Sequence, residues 1–340
     1  MRVSFASRIS QFFVTAALLV PVPSLMAQSL TAVRYQEYPG SIIHLANWVM
    51  REKGICAKHG LRCEAVMLAS GPLAQQAAAA GSVDLIVSSA DVMMQAVSKG
   101  NDLQILGNML TNNVYSLSAG KHVALPNRSK GYPANMQDVV GKRFGVSARG
   151  SATEMYVKTL LAGAGFSPTD ATFIAVGSPP TAYAALAAGQ VDAILSWDPV
   201  PALCEATGNC FVLVDLRKGQ GPDVLKSMNG GFVVWQARRE YVERNGKVID
   251  AFLKAQDDAV AWLRDEKNRD ATMKLVSANF KLGDIPNREQ ALNQIVDESI
   301  AQYGSKLNRS VVKGFNEFLL SNKLIDKPLD AGRLIYKNAP

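Results

Sequence analysis

The sequence lacks the local signatures of enzymatic chemistry: no GxSxG elbow, no GxxxxGK[ST] phosphate loop, no HExxH and no GxGxxG occur in its 340 residues. Histidine is scarce. His44, His59 and His122 are the only three, and none stands beside a nucleophile or a second metal ligand. The four cysteines are not spaced as CxxC, so neither a metal nor a cofactor is implied. Basic residues are not clustered with aromatics. The 36 Lys and Arg and 29 Asp and Glu mix along helical stretches such as 238–267, which argues against nucleic acid as a partner. No Cys precedes Cys56, which leaves no lipid attachment site near the N-terminus.

Long apolar runs are missing too, except one. Arg2 and Arg8 precede an apolar run from Phe12 to Val20, followed by Pro21, Pro23 and a small-residue cleavage point after Ala27. This run is shorter than the roughly 18 residues a membrane span needs, so residues 1–27 read as a secretory signal peptide. The expected product is periplasmic, not lipid-anchored, and monomeric. Its formal charge falls from +7 to +5 with the loss of two arginines. In an oxidising compartment Cys56, Cys63, Cys204 and Cys210 default to disulfides. Three connectivities are open, and the short loops holding Gly60 and Gly208 favour Cys56 with Cys63 and Cys204 with Cys210.

What is present is a repetition. Ser70 to Ser88, SGPLAQQAAAAGSVDLIVS, recurs without a gap as Ser178 to Ser196, SPPTAYAALAAGQVDAILS, with 11 of 19 positions identical. Each copy predicts a Pro-started helix ended by Gly81 or Gly189, a buried strand beginning Val-Asp, and a Ser where the next helix opens. Gly40-Ser41 and Gly150-Ser151 likewise open helices after apolar strands. The implied fold class is α/β with two similar lobes. Residues 28–118 and 230–340 are assigned to lobe 1, which carries the C-terminal helices, and 119–229 to lobe 2. A strand is expected over 113–118, the change of lobe in the Gly, Pro and Asn-rich loop 120–135, and hinges near 115–119 and 229–233.

Helix starts attract anions, because their N–H groups are unpaired and the helix dipole is positive there. Six starts fall beyond strand ends, where α/β proteins bind ligands. They begin at Pro39, Ser70, Ser88, Gly150, Ser178 and Trp197. Ser151 with Glu154 has the form of a capping box. Arg149 could pair with a carboxylate or sulfonate. Asp198 could cap its helix, with Pro199 at the first helical position, or accept from a ligand amine. Trp197, Tyr38 and Phe232 are candidate walls. His44 falls one turn into its helix, the place of an ordinary buried histidine.

The signal peptide, the Gly-Ser-started helix, AAAAGSVDLIVSSAD and the run GKRFGVSARGSATE to AAGQVDAILSWDPVPALCE resemble periplasmic substrate-binding proteins of ABC importers, in the nitrate, sulfonate and taurine branch that includes pyrimidine-precursor binders. The resemblance covers essentially the whole exported chain and is strongest over AAGQVDAILSWDP. It implies a bilobed type II periplasmic-binding-protein fold without enzymatic activity, which delivers a small anionic ligand, a sulfonate or carboxylate, to an inner-membrane permease. Carried onto this chain, the contacts are Gly40, Ser41, Ser70, Gly71 and Ser89 in lobe 1 and Arg149, Gly150, Ser151, Thr153 and Trp197 in lobe 2. The alternatives are a pyrimidine-precursor binder, an exported pyrimidine-processing enzyme using His44, and a periplasmic sensor subunit. The Cys-rich run of pyrimidine synthases of this fold is missing here.

Overall fold

The computed structural model describes residues 29–340, so the expected signal peptide lies outside the described residues. Two sheets organise the chain. In the first lobe, β1 (Thr31–Glu37) lies parallel to β2 (Leu61–Met67). The bridge between Tyr35 and Leu85 joins this pair to β3 (Ile86–Ser89), which continues antiparallel through β10 (Val233–Arg238) to β4 (Leu103–Leu110). The second lobe holds β5 (Ser116–Gly120), β6 (Arg143–Val146), β7 (Thr172–Ala175), β8 (Ala193–Ser196) and β9 (Cys210–Asp215), in the order β7-β6-β8-β5-β9.

The two orders are the same pattern twice. In each lobe the antiparallel strand comes from the other half of the chain, β10 in the first and β5 in the second. The backbone therefore crosses between lobes twice. The first crossing lies earlier than the sequence suggested: Ser116 to Gly120 pair only within the second sheet, so 116–118 belong with lobe 2 and the passage is at 111–115. The expected strand at 113–118 is displaced to 116–120, and loop 120–135 stays in the second lobe, anchored by Asn135 Nδ2 donating to the carbonyl of Leu213 at 2.7 Å.

The repeated Gly and Val-Asp have a shared physical cause. Gly81 and Gly189 end their helices at φ +72° and +70°, a left-handed backbone that glycine adopts without a Cβ penalty. Three residues on, Asp84 takes the backbone N–H and the guanidinium of Arg34 in β1, while the Gly81 carbonyl takes a third guanidinium N–H. Asp192 and Gly189 hold Arg143 of β6 in the same way. Arg143 keeps the Asp192 carboxyl well below the usual carboxylate range. Each lobe thus clamps its helix-to-strand turn onto the neighbouring strand.

The first core centres on Tyr35, Trp235 and Phe252, the last two 4.8 Å apart and edge-on. Helix Arg239–Arg264 covers this sheet with Ile249, Phe252, Ala255, Ala259 and Leu263, which recur at helical spacing on one face. Disulfides join Cys56 to Cys63 and Cys204 to Cys210, one within each lobe. No described helix is long and apolar enough to cross a membrane.

Candidate functional site

The seam between the lobes is made of strand ends and helix starts. From the first lobe come Tyr38 and Ile43 after β1, Gly71 and Pro72 of helix Gly71–Ala79, and Ser88 and Ser89 at the end of β3. The second lobe supplies Ser147, Ser151, Ala152 and Trp197. Val114 and Tyr115 of the first crossing close one side. These residues enclose a cavity of about 20 Å³, room for about one water, so a larger solute enters only when the lobes separate. A wider groove of about 840 Å³ runs past Arg128, Phe211 and Glu298, but it is open to solvent and includes none of the serines that open helices at Ser70, Ser89, Ser151 and Ser178.

Trp197 ties the seam together. Its indole Nε1–H donates to Ser41 Oγ across the lobes at 2.6 Å. Its ring stands edge-on to Tyr38 at 5.4 Å and to Tyr115 at 5.8 Å, and all three are buried. Tyr38 is held from both ends: its hydroxyl donates to the Val87 carbonyl at 2.8 Å and its backbone N–H donates to His44 Nε2 at 2.8 Å. Gly40 lies against Pro180 of the opposite lobe, where a Cβ would come within 2.6 Å of the proline ring.

His44 stays outside the cavity. Because Nε2 accepts from Tyr38, the neutral ring carries its proton on Nδ1, 3.1 Å from the Asn47 carboxamide, whose otherwise unpartnered oxygen accepts it when the amide is turned toward the ring. Complete burial, reinforced by the charge of Arg51, pushes its pKa down to about 3. One ring nitrogen is occupied by the Tyr38 N–H and the other faces Asn47, so His44 positions Tyr38 and lines no part of the cavity.

Three more expected contacts are elsewhere. The Arg149 guanidinium, 63% exposed, pairs with Glu154 at 2.9 and 3.1 Å and donates to the Phe173 carbonyl. It lines, with Gly150, a rim groove outside the cavity. Asp198 neither caps its helix nor faces the cavity; it pairs with Arg217 at 3.0 Å, and Arg217 also holds Asp215 at 2.8 Å and Glu298 of the first lobe at 3.2 Å. Burial pushes the Asp198 carboxyl up to about 6, against the pull of Arg217. Phe232 is wholly buried beneath the seam against Tyr115 and Tyr156, and its neighbour Val233 lines the cavity instead.

The helix starts differ in how their N–H groups are used. Ser70 caps loosely, with Oγ 3.4 Å from the Leu73 N–H. Ser89 and Ser151 make no side-chain cap. Ser151 Oγ donates to the Ala148 carbonyl and meets Thr153 Oγ1 at 2.7 Å, while Thr153 accepts from the Ser147 N–H, an internal knot below the cavity. The expected capping box is not made: Ser151 gives no side-chain cap, and Glu154 accepts from the N–H of Gly150 rather than that of Ser151. Tyr115, Val114, Pro72 and Ser147 were missed as lining residues. Tyr115 had one available signal, its position at an expected hinge.

Comparisons with known proteins agree with this architecture. A Brucella abortus (strain 2308) protein, named as a candidate binding protein, is 24% identical over 242 residues, 68% of this chain and 67% of its own length. A structure from Bordetella bronchiseptica RB50 superimposes with a TM-score of 0.72 at 23% identity, covering 90% of this chain and 93% of that one. The alkanesulfonate-binding protein of Xanthomonas axonopodis pv. citri, solved bound to MOPS, does so with a TM-score of 0.69 at 21% identity, covering 90% and 98%. The fold is that of the periplasmic binding proteins, two α/β lobes joined by two crossings. Residues 42–277, which include both copies of the repeat, both crossings and the whole second lobe, match the model of the NMT1-like family, and the chain belongs to that family.

Proposed function

We propose that this chain is the solute-binding component of an ABC importer, exported to the periplasm, which captures a small ligand between its lobes and presents the closed form to a membrane permease. One observation carries the reading: the helix starts and strand ends of two lobes of like topology converge on a single cavity that only relative motion of the lobes can open. A ligand touching both lobes binds the closed form better, and the closed population rises by that difference. The anion expected from the sequence retains the helix starts as donors but loses Arg149 as its charge partner. His44, locked in support of Tyr38, gives the enzymatic alternative no base.

The test is native mass spectrometry of the gently purified chain, followed by thermal shift and small-angle scattering with any recovered solute. A ligand at a hundred times its Kd stabilises the native state by about 2.7 kcal/mol. The expected result is a raised Tm together with a smaller radius of gyration. Identical scattering curves with and without a stabilising solute overturn the capture mechanism.

A further inference from the structure

We propose that Arg217 positions the closed lobes: with Asp198, Asp215 and Glu298 it forms a latch across the seam that holds more firmly once the cluster takes up a proton. This rests on the solute-capture reading above, in which the lobes part and rejoin. The second lobe assembles most of the cluster by itself. Arg217 Nε and Nη2 donate to Asp215 Oδ1 and Oδ2 at 2.9 and 2.8 Å, and Nη1 donates to the two Asp198 oxygens at 3.0 and 3.2 Å. The same Nη1 reaches Glu298 Oε2 at 3.2 Å.

Glu298 comes from the other lobe. It belongs to helix Arg288–Gln302, and Tyr303, next after that helix, bridges Leu110 of β4 and donates its hydroxyl to the Ile43 carbonyl at 2.7 Å. Gln294 Nε2 donates to the second Glu298 oxygen at 2.9 Å, which holds the carboxylate in place. The contact with Arg217 therefore exists only while the lobes meet. It lies on the far side of the turn that also builds the cavity: Trp197 faces inward and donates to Ser41, while Asp198, next in sequence, lines the solvent-open groove outside.

One guanidinium here serves three carboxylates. Asp198, Asp215 and Arg217 sum to one negative charge, and closure brings Glu298 and makes it two. Of the other charges on the groove, Lys218 is exposed and 3.8 Å from Asp215, and Arg128 and Glu205 make no ion pair with the cluster among the described residues. Burial, with the charges of Glu298 and Asp215, pushes the Asp198 carboxyl up to about 6 against the pull of Arg217. The Glu298 contribution is made only on closing, so the closed form binds the proton more tightly than the open one. By linkage, closure is favoured as pH falls from about 7 through about 6, and one proton on Asp198 restores the cluster to a single negative charge with Arg217 still shared by Asp215 and Glu298.

The experiment reads closure in the ligand-free full chain. Spin labels at K142C and K254C, one exposed position in each lobe, give the interlobe distance distribution by pulsed electron resonance. The closed-to-open ratio is expected to rise by about three- to tenfold from pH 8 to pH 5, the upper figure if the whole Asp198 shift is made on closure. D198N is expected to show no such rise and to close at pH 8 as the wild type does at pH 5. E298Q keeps an acceptor for Arg217 without the charge, and a smaller pH response than the wild type is expected. A merely structural cluster would change unfolding stability in these variants and leave the pH profile of closure as it is. A wild-type ratio that does not move with pH, or that moves equally in D198N, overturns the latch. If a solute recovered by native mass spectrometry still compacts that chain, solute capture stands without the latch. Closure that follows pH, with no solute recovered, keeps the latch and removes solute capture.

Discussion

The hydrogen bond from Trp197 to Ser41 is made only when the lobes meet, which makes it a direct handle on closure. Trp197→Phe keeps an aromatic ring near Tyr38 and Tyr115 but removes the indole N–H, so Ser41 Oγ loses that donor in the closed form. In the open form water serves both groups and the substitution is nearly silent. Leaving a buried polar group unpaired costs about 1–3 kcal/mol. At about 1.4 kcal/mol per tenfold, the closed-to-open ratio and the apparent affinity for a solute are expected to fall by roughly 5- to 150-fold. Ser41→Ala strands the indole N–H instead and is expected to fall in the same range. The double variant removes both partners and is expected to be milder than the sum of the two, with a coupling energy above about 0.5 kcal/mol. Closure is read by small-angle scattering and affinity by calorimetry, with denaturant unfolding of the ligand-free chain as the control. Strictly additive single effects, or losses of unfolding stability as large as the losses of affinity, would refute the role assigned to this contact.

Reduction of the two disulfides is expected to lower stability by about 2–3 kcal/mol per bridge in the chain-entropy model, without changing the scattering response to a solute, because each bridge lies within one lobe; a lost response would show that the bridges shape the cleft. Asp198 has a folded pKa of about 6, above its ordinary value of 3.8, so the folded form gains a proton before the unfolded form does. Its contribution therefore improves as pH falls from about 7 toward 4, and D198N is expected to be more stable relative to wild type at pH 8 than at pH 4.5 by Tm; a constant difference would contradict the assignment. His44 runs the other way. Its folded pKa is lowered to about 3 against an ordinary 6.5, so the stability it contributes is present above 6.5 and is lost as pH falls through that window. His44→Ala strands the Tyr38 N–H, and a loss of about 1–3 kcal/mol is expected in denaturant titration; unchanged stability would show that water replaces the ring.

What could be read from the sequence was local. The repeat carried its own geometry, because a proline start, a left-handed glycine and a Val-Asp strand entry lie within one 19-residue stretch, and each element constrains the next. The disulfides were legible for the same reason, since separations of 7 and 6 residues permit little else. The two-lobe fold followed from the repeat, and Gly71, Ser89, Ser151, Trp197 and Tyr38 reached the cavity wall because they sit at helix starts and strand ends. The lobe boundary missed by a few residues, since nothing local distinguishes a strand that pairs with its own half from one donated to the other. Most charge partners were decided by contacts made only in the folded chain. Arg149 looked free but had Glu154 one turn away, while Asp198 found Arg217, and Arg217 found Glu298 at a separation of 81 residues. Ser41 and Trp197 meet across 156 residues. A side chain's partner at such distances depends on how the lobes pack, and one sequence has no periodicity that encodes it. The sequence therefore determined which backbone ends face a shared space, while the packing of the lobes determined which charged side chains are paired away from it.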